Sequence, residues 1–388
     1  MEEDVYVISV GAGKNQIPLI QRLVERGYIV VAFDKNKNAS GKQLSPIFNN
    51  ISTWDYESAI QWLSSLKIKF RGALCFSYGR ALVTQQKIID FFDLEGKLGE
   101  NFVNIMADKG YQRRILCELG LSTLKEFYSY NDIAGDVGHK FIVKDKVGVS
   151  SNNILLIQNN NYDKEKLEKK VKTGYIIQEF LDGEEYRIVS IIKNKRIEFF
   201  SVMERTNIKT TFFTGRLRPE RNYDNAIFSL LKKVIDKFEI TDSAIKIDII
   251  KETNRIEILE IDFGIPGDYF ETTISNCCYN YNYIDNYINL MLGLPVEHKI
   301  SLDNELCFDY VYNNKDKEFI VDYSKIFYVA DKYFDNYKII KIKEQDQVAR
   351  YPNSNMDAVF AIVHNRMNLS NYDVNQIFND ALHSEVLL

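Results

Sequence analysis

Cysteine is scarce and unpatterned in this sequence. Five occur in 388 residues, at Cys75, Cys117, Cys277, Cys278 and Cys307, and none forms a C-x-x-C pair. That argues against a zinc site or a disulfide framework and reads as reduced thiols in a cytoplasmic protein. Histidine is scarcer still: His139, His298, His364 and His383 lie far apart. No apolar run reaches the roughly 18 residues of a membrane span. The net charge is −5, so no basic surplus advertises nucleic acid or an anionic membrane as a partner. The opening MEEDVYVISV is acidic and then strand-like, unlike a secretory leader. Repeats, low-complexity tracts and clean linkers are missing too. What is there is a chain 45% hydrophobic and 27% charged, the balance of a globular protein with two or three domains.

The first hundred residues alternate strand and helix. Val5–Val10 is an apolar strand, followed by Gly11-Ala12-Gly13 and a helical pattern from Gln16 to Arg26. Tyr28–Phe33 is a second strand, ending in Asp34. A glycine turn at a helix start resembles a dinucleotide-binding fingerprint, with Asp34 near the ribose position, but Gln16 replaces the third glycine. The missing glycine favours a tight strand-to-helix turn in a nucleotide-free Rossmann-like domain. Further alternation through Gly72–Phe76 and Arg80–Phe92 predicts a parallel sheet covered by helices.

Beyond residue 100 the pattern changes. Val103–Leu119 reads as one helix containing Asp108 and Lys109. Phe141–Lys144 is a strand ending in lysine, followed by the polar loop KVGVSSNN. Tyr175–Phe180 (YIIQEF) is another strand, turning through Leu181–Glu185. Arg205–Arg221 is basic. The stretch Ala244–Asp262 then reads as a hairpin, with KETNR as its turn. Strand residues two apart share a face, so Lys246 and Asp248 lie together on one strand, and Glu260 and Asp262 on its neighbour. Three carboxylates and an ammonium group would converge. Buried carboxylates need a cation or basic partners, and oxygen ligands of this kind suit Mg²⁺. A half-exposed hairpin whose charges face water is the alternative.

The order of these features resembles the ATP-grasp superfamily, the fold of biotin carboxylase, D-alanine–D-alanine ligase and related carboxylate–amine ligases. The resemblance implies an α/β and α+β architecture. A Rossmann-like amino-terminal domain (1–101) would precede an ATP-grasp fold (102–298, lid about 122–178) and a small carboxy-terminal α+β domain (299–388). It also implies ATP and Mg²⁺ as cofactors. By position, Lys109 and Lys144 would touch the nucleotide phosphates, and the lid loop Gly148–Asn153, with Ser151, would cover them. Gln178, Glu179, Phe180 and Leu181 would form the adenine-binding hinge, and Glu185 would hold the ribose. Asp248, Glu260 and Asp262 match the Mg²⁺ ligands, and Lys246 a group touching the transferred phosphate.

Two departures stand out. Asp262 replaces an asparagine of the family, and Gly264 replaces an arginine. Arg205, Lys209, Arg216 or Arg218 are the candidate substitutes for that arginine. The implied activity is ligation: ATP phosphorylates a carboxylate, and an amine displaces phosphate. The partners would be a small-molecule carboxylate and an amine. Tyr279–Tyr287 reads as a packed helix, with a homodimer interface as its alternative. Rival readings are an ATP-grasp relative that binds nucleotide without turnover, and an NAD-dependent oxidoreductase using Gly11-Ala12-Gly13 and Asp34.

Overall fold

The computed structural model describes residues 4–98, 100–135, 139–145, 154–158, 163–208, 211–365 and 373–384. Its amino-terminal sheet is parallel, in the order Ile47–Asn49, Ile29–Phe33, Tyr6–Val10, Phe70–Leu74. The central strands are buried on both faces, which is why they read as unbroken apolar runs. Ile17–Glu25, Tyr56–Ser65 and Arg80–Phe92 are the helices of this layer.

The expected single helix over Val103–Leu119 is two helices. Glu100–Ala107 ends before Asp108, and Lys109–Glu118 begins after it. Asp108 has extended backbone, and its side chain accepts the Tyr111 N–H at 2.9 Å. Aspartate satisfies orphan helix donors better from a cap than from a helix interior, so it starts a new helix.

The largest sheet is antiparallel and eight-stranded. Its order is Arg255–Asp262, Ser243–Glu252, Glu184–Lys193, Arg196–Asn207, Thr214–Pro219, Leu306–Val311, Phe360–Asn365, Tyr337–Lys341. The last three strands come from beyond residue 299, so the carboxy-terminal segment continues this sheet, and it adds a two-stranded sheet of Phe319–Ile320 and Val348–Ala349. A separate four-stranded sheet joins Glu126–Phe127, Tyr175–Glu179, Lys140–Asp145 and Leu155–Gln158. It carries its own apolar cluster, including Phe141, Val143, Ile157, Ile177 and Leu167 of the helix Lys164–Lys172.

The aromatic stretch is core. Tyr279, Tyr281, Tyr283 and Tyr287 are buried, and Tyr281 stacks on Phe199 at 4.4 Å. No described helix is long and apolar enough to cross a membrane. All five cysteines are free of disulfides.

Candidate functional site

The site grows from strand register. Across the hairpin, Lys246 pairs with Asp262 and Asp248 with Glu260. On its other edge Asp248 pairs with Arg187. Residues directly opposite share a face, so all five side chains meet on one side of the sheet. A bulge follows Asp248, and beyond it Ile250 pairs with Glu257. The extra residue brings Glu257 to the same face as Glu260, as bulges do beside functional sites.

The charges are closely paired. Lys246 Nζ lies 2.7 Å from Asp262 and 3.6 Å from Asp248. Arg187 donates to Asp248 at 2.7 Å and also to Asp268. Lys109 Nζ sits 3.2 Å from Glu260. The Lys246, Asp248 and Asp262 side chains are only 9–11% exposed, whereas Lys109 and Glu260 are 28% and 31% exposed. Lys109 and Glu260 are therefore the members of the cluster most open to solvent.

Electrostatics follow this arrangement. Burial favours the neutral acid at Asp248, but Arg187 and Lys246 outweigh it and hold its pKa well below the usual range. Burial also works on Glu260, and Lys109 and Lys246 overcome it. Asp262 goes the other way. Burial, with Glu260 beside it, pushes its carboxyl up against the pull of Lys246. Of the three carboxylates Asp262 is thus the least favoured as an anion.

Lys109 owes its position to its own helix. Gln112 bonds both main-chain groups of Ile261, accepting the N–H at 3.0 Å and donating to the carbonyl at 2.7 Å. Arg113 reaches the Leu259 carbonyl at 3.0 Å and Ser122 at 2.6 Å. Lys144 is held by Gln178 at 2.9 Å. Burial, with Lys109 and Arg113 nearby, pulls its pKa down to about 7.

The expected hinge also has defined partners. The Glu179 carboxylate takes two bonds from Arg255, at 3.1 and 3.2 Å. Glu257, 2% exposed, accepts from the Thr123 N–H at 2.9 Å and from the Ser122 and Thr123 hydroxyls. The Phe180 N–H bonds the Lys140 carbonyl at 3.2 Å. Leu181 packs with Leu124 and Ile250. Glu185 is paired with Arg205 at 3.1 Å and Asn207 at 2.9 Å.

The substitutes for the missing arginine divide. Arg205 lies near enough to Asp248 and Asp268 to help lower both. Arg216 is bound to Asp309 at 2.7 Å. Arg218 is clamped between Glu204 and Glu220, with no described contact to the Lys246 cluster. At Gly264 itself a Cβ would come within 2.9 Å of Leu82, so the packed helix Arg80–Phe92 occupies the space a side chain needs. Lys209, Ser151 and the rest of the Gly148–Asn153 loop lie outside the described residues.

Sequence reasoning missed Arg187, Asp268, Tyr78 and Glu271. Only strand pairing brings Arg187 to Asp248, and nothing in the spacing announced it. The glycine turn of the first domain is internally satisfied: Asp34 accepts the Ala12 and Asn36 N–H groups, and Gln16 bonds both main-chain groups of Phe76.

Residues 124–264, the segment that carries most of this site, match the family model described as an ATP-grasp domain. Over its whole length the chain shares its fold with known ligases. An L-amino acid ligase from Bacillus licheniformis superposes with a TM-score of 0.76 at 17% identity, covering 98% of each chain. An N5-carboxyaminoimidazole synthetase from Staphylococcus aureus gives 0.71 at 16% identity, covering 99% of each. A phosphoribosylglycinamide synthetase from Anaerococcus prevotii gives 0.67 at 15% identity, covering 93% of this chain and 94% of that one. At these identities the likeness is one of fold. No curated protein matches the sequence.

Proposed function

We propose that the chain is an ATP- and Mg²⁺-dependent ligase of the cytoplasm. It activates a substrate carboxylate as an acyl phosphate, and an amine then displaces phosphate to form a C–N bond. The observation that carries this reading is the cluster of buried Lys246, Asp248 and Asp262 with the half-buried Glu260, and Lys109 across it. Solved ligases of the same fold, some described as complexes with ATP or ADP, support it.

The residues fit Mg²⁺ in a particular way. Among the described residues no three acidic, histidine or cysteine side chains are gathered as a ready ligand set. Each carboxylate is engaged by a base instead. An oxygen-only donor set of one or two carboxylates suits an ion that keeps several waters and binds phosphate as well. One or two of Asp248, Glu260 and Asp262 would hold it, and it would supply charge neutralisation at the phosphates.

The remaining work falls to the chain. Lys109 and Lys144 bind the phosphates, and Lys246 meets the group being transferred. Gln178–Leu181 takes the adenine, and Glu185 the ribose. Phosphoryl transfer asks for positioning and charge stabilisation more than for an acid or base, which suits a site rich in lysine, arginine and carboxylates. Glu260→Ala should abolish phosphate release from Mg-ATP in a screen of carboxylates crossed with amines, with the thermal melt unchanged. Retained turnover in that variant contradicts the reading. ATP binding with no turnover for any pair favours a non-ligating relative.

A further inference from the structure

The segment after the acidic hairpin is built at a cost. Gly267, Asp268 and Tyr269 are consecutively left-handed, with φ of 74°, 53° and 57°. Such runs are disfavoured for any residue with a Cβ. They lead into a π-helix, Phe270–Ile274, a form that collects at functional sites. On it sits Glu271, 7% exposed, whose Oε2 is buried without a hydrogen-bond partner. The Tyr283 hydroxyl is likewise buried and partnerless, and close enough for the Glu271 charge to raise its pKa.

This acid lies within electrostatic reach of Tyr78, the ring beside Lys246. Tyr78 stands over Lys246, with Nζ 5.9 Å from the ring, and feels Asp268, Glu271 and Asp262 together. A Cβ on Gly267 would lie 3.3 Å from the Tyr78 hydroxyl. Asp268 binds Arg187, which stands between it and Asp248. Phosphate binding uses Lys109, Lys144 and Lys246, and the carboxylates expected to hold Mg²⁺ are beyond Arg187. Nothing in that chemistry uses Glu271. A buried acceptor with no donor is costly, and a cationic ligand relieves the cost.

We infer that Glu271, with the Tyr283 hydroxyl and Asp268, forms the subsite for the nucleophile, and that the nucleophile is a primary amine bound as its ammonium ion. This rests on the ligase reading above. A primary ammonium brings donors to Glu271 Oε2 and the Tyr283 hydroxyl, which have no partner, and a third to Asp268, which already accepts from Arg187 and the Tyr310 hydroxyl. Burial moves the Glu271 carboxyl up to about 7, opposed by main-chain N–H groups of Glu271 and Gly267 and aided by the charge of Asp268, so it can take a proton near neutral pH. The ammonium gives one proton to Glu271 Oε2. The free amine attacks the acyl carbon, the C–N bond forms, and the C–O bond to phosphate breaks. The second N–H proton leaves with phosphate or water.

The test compares a charged and an uncharged nucleophile. Hydroxylamine is largely neutral at pH 7.5 and traps acyl phosphates as hydroxamates. The wild type is screened with carboxylates, Mg-ATP and either hydroxylamine or the twenty amino acids. Glu271→Gln should raise the KM for the accepted amine by about 10- to 100-fold, the loss of one charged hydrogen bond. Hydroxamate formation should stay within about twofold of wild type on the same reasoning. An unchanged amine KM overturns the proposal, as does a parallel loss of hydroxamate formation. If Glu271→Gln fails to fold, Tyr283→Phe should raise the amine KM alone, and an unchanged KM there overturns it. Absence of hydroxamate from the wild type with every carboxylate counts against the ligase reading instead.

Discussion

At the scale of single residues, the site is governed by how burial and neighbouring charges compete. Lys144 shows the competition most clearly. A lysine pulled from its ordinary value to about 7 is mostly neutral at pH 8. The unfolded chain keeps that proton up to its ordinary pKa, so the stability of the free protein rises with pH between about 7 and 10.5. A phosphate beside Lys144 would restore the charge. Nucleotide binding at pH 8 should therefore take up about one proton. Calorimetry in two buffers of different ionisation heat measures this, and Lys144→Met should abolish it. No uptake by the wild type would remove Lys144 from the phosphate site. Arg187 shows the same competition from the opposite side, because it is the strongest of the charges that hold its two acidic partners below their ordinary range.

At the scale of elements, short side-chain clamps do the positioning. The break at Asp108 sets Lys109 in the first turn of its helix, and Gln112 fastens that turn to the strand bearing Glu260. Gln112→Ala strands the Ile261 N–H and carbonyl, a loss of about 1–3 kcal/mol. Denaturant unfolding should show that loss, and ADP should bind more weakly because Lys109 loses its support. If ADP affinity survives intact, the clamp is purely structural. The sequence suggested one long helix here because apolar periodicity runs through Asp108. Capping preference, a local hydrogen-bond effect, overrode the periodicity.

At the scale of the molecule, three pieces of chain meet at one sheet face. Lys109 comes from a helix docked on the hairpin, Lys144 from the separate four-stranded sheet, and Tyr78 from the loop after an amino-terminal strand. In this state Lys246 already sits between Asp248 and Asp262. Mg²⁺ alone should then bind poorly, since it must displace an ammonium already in place. With nucleotide present, the phosphates supply both ligands for the ion and a partner for Lys246. Calorimetric titration with MgCl2 should show weak binding to the free protein and much tighter binding with ADP. Tight binding without nucleotide would contradict this arrangement.

The sequence by itself determined the parts that depend on period and local order. Alternation of strand and helix wrote the parallel sheet, and two-residue spacing put Lys246 with Asp248 and Glu260 with Asp262 on shared faces. The ATP-grasp likeness was legible because its features follow one another in order along the chain. Only the tertiary structure decided which bases meet those acids. Arg187 reaches Asp248 from a strand some sixty residues away in sequence, and Leu82 closes the space at Gly264 from a helix farther still. Glu271 stays silent in the sequence for the same reason. Its environment is made by residues that become neighbours only on folding, and burial without a partner leaves no periodic trace.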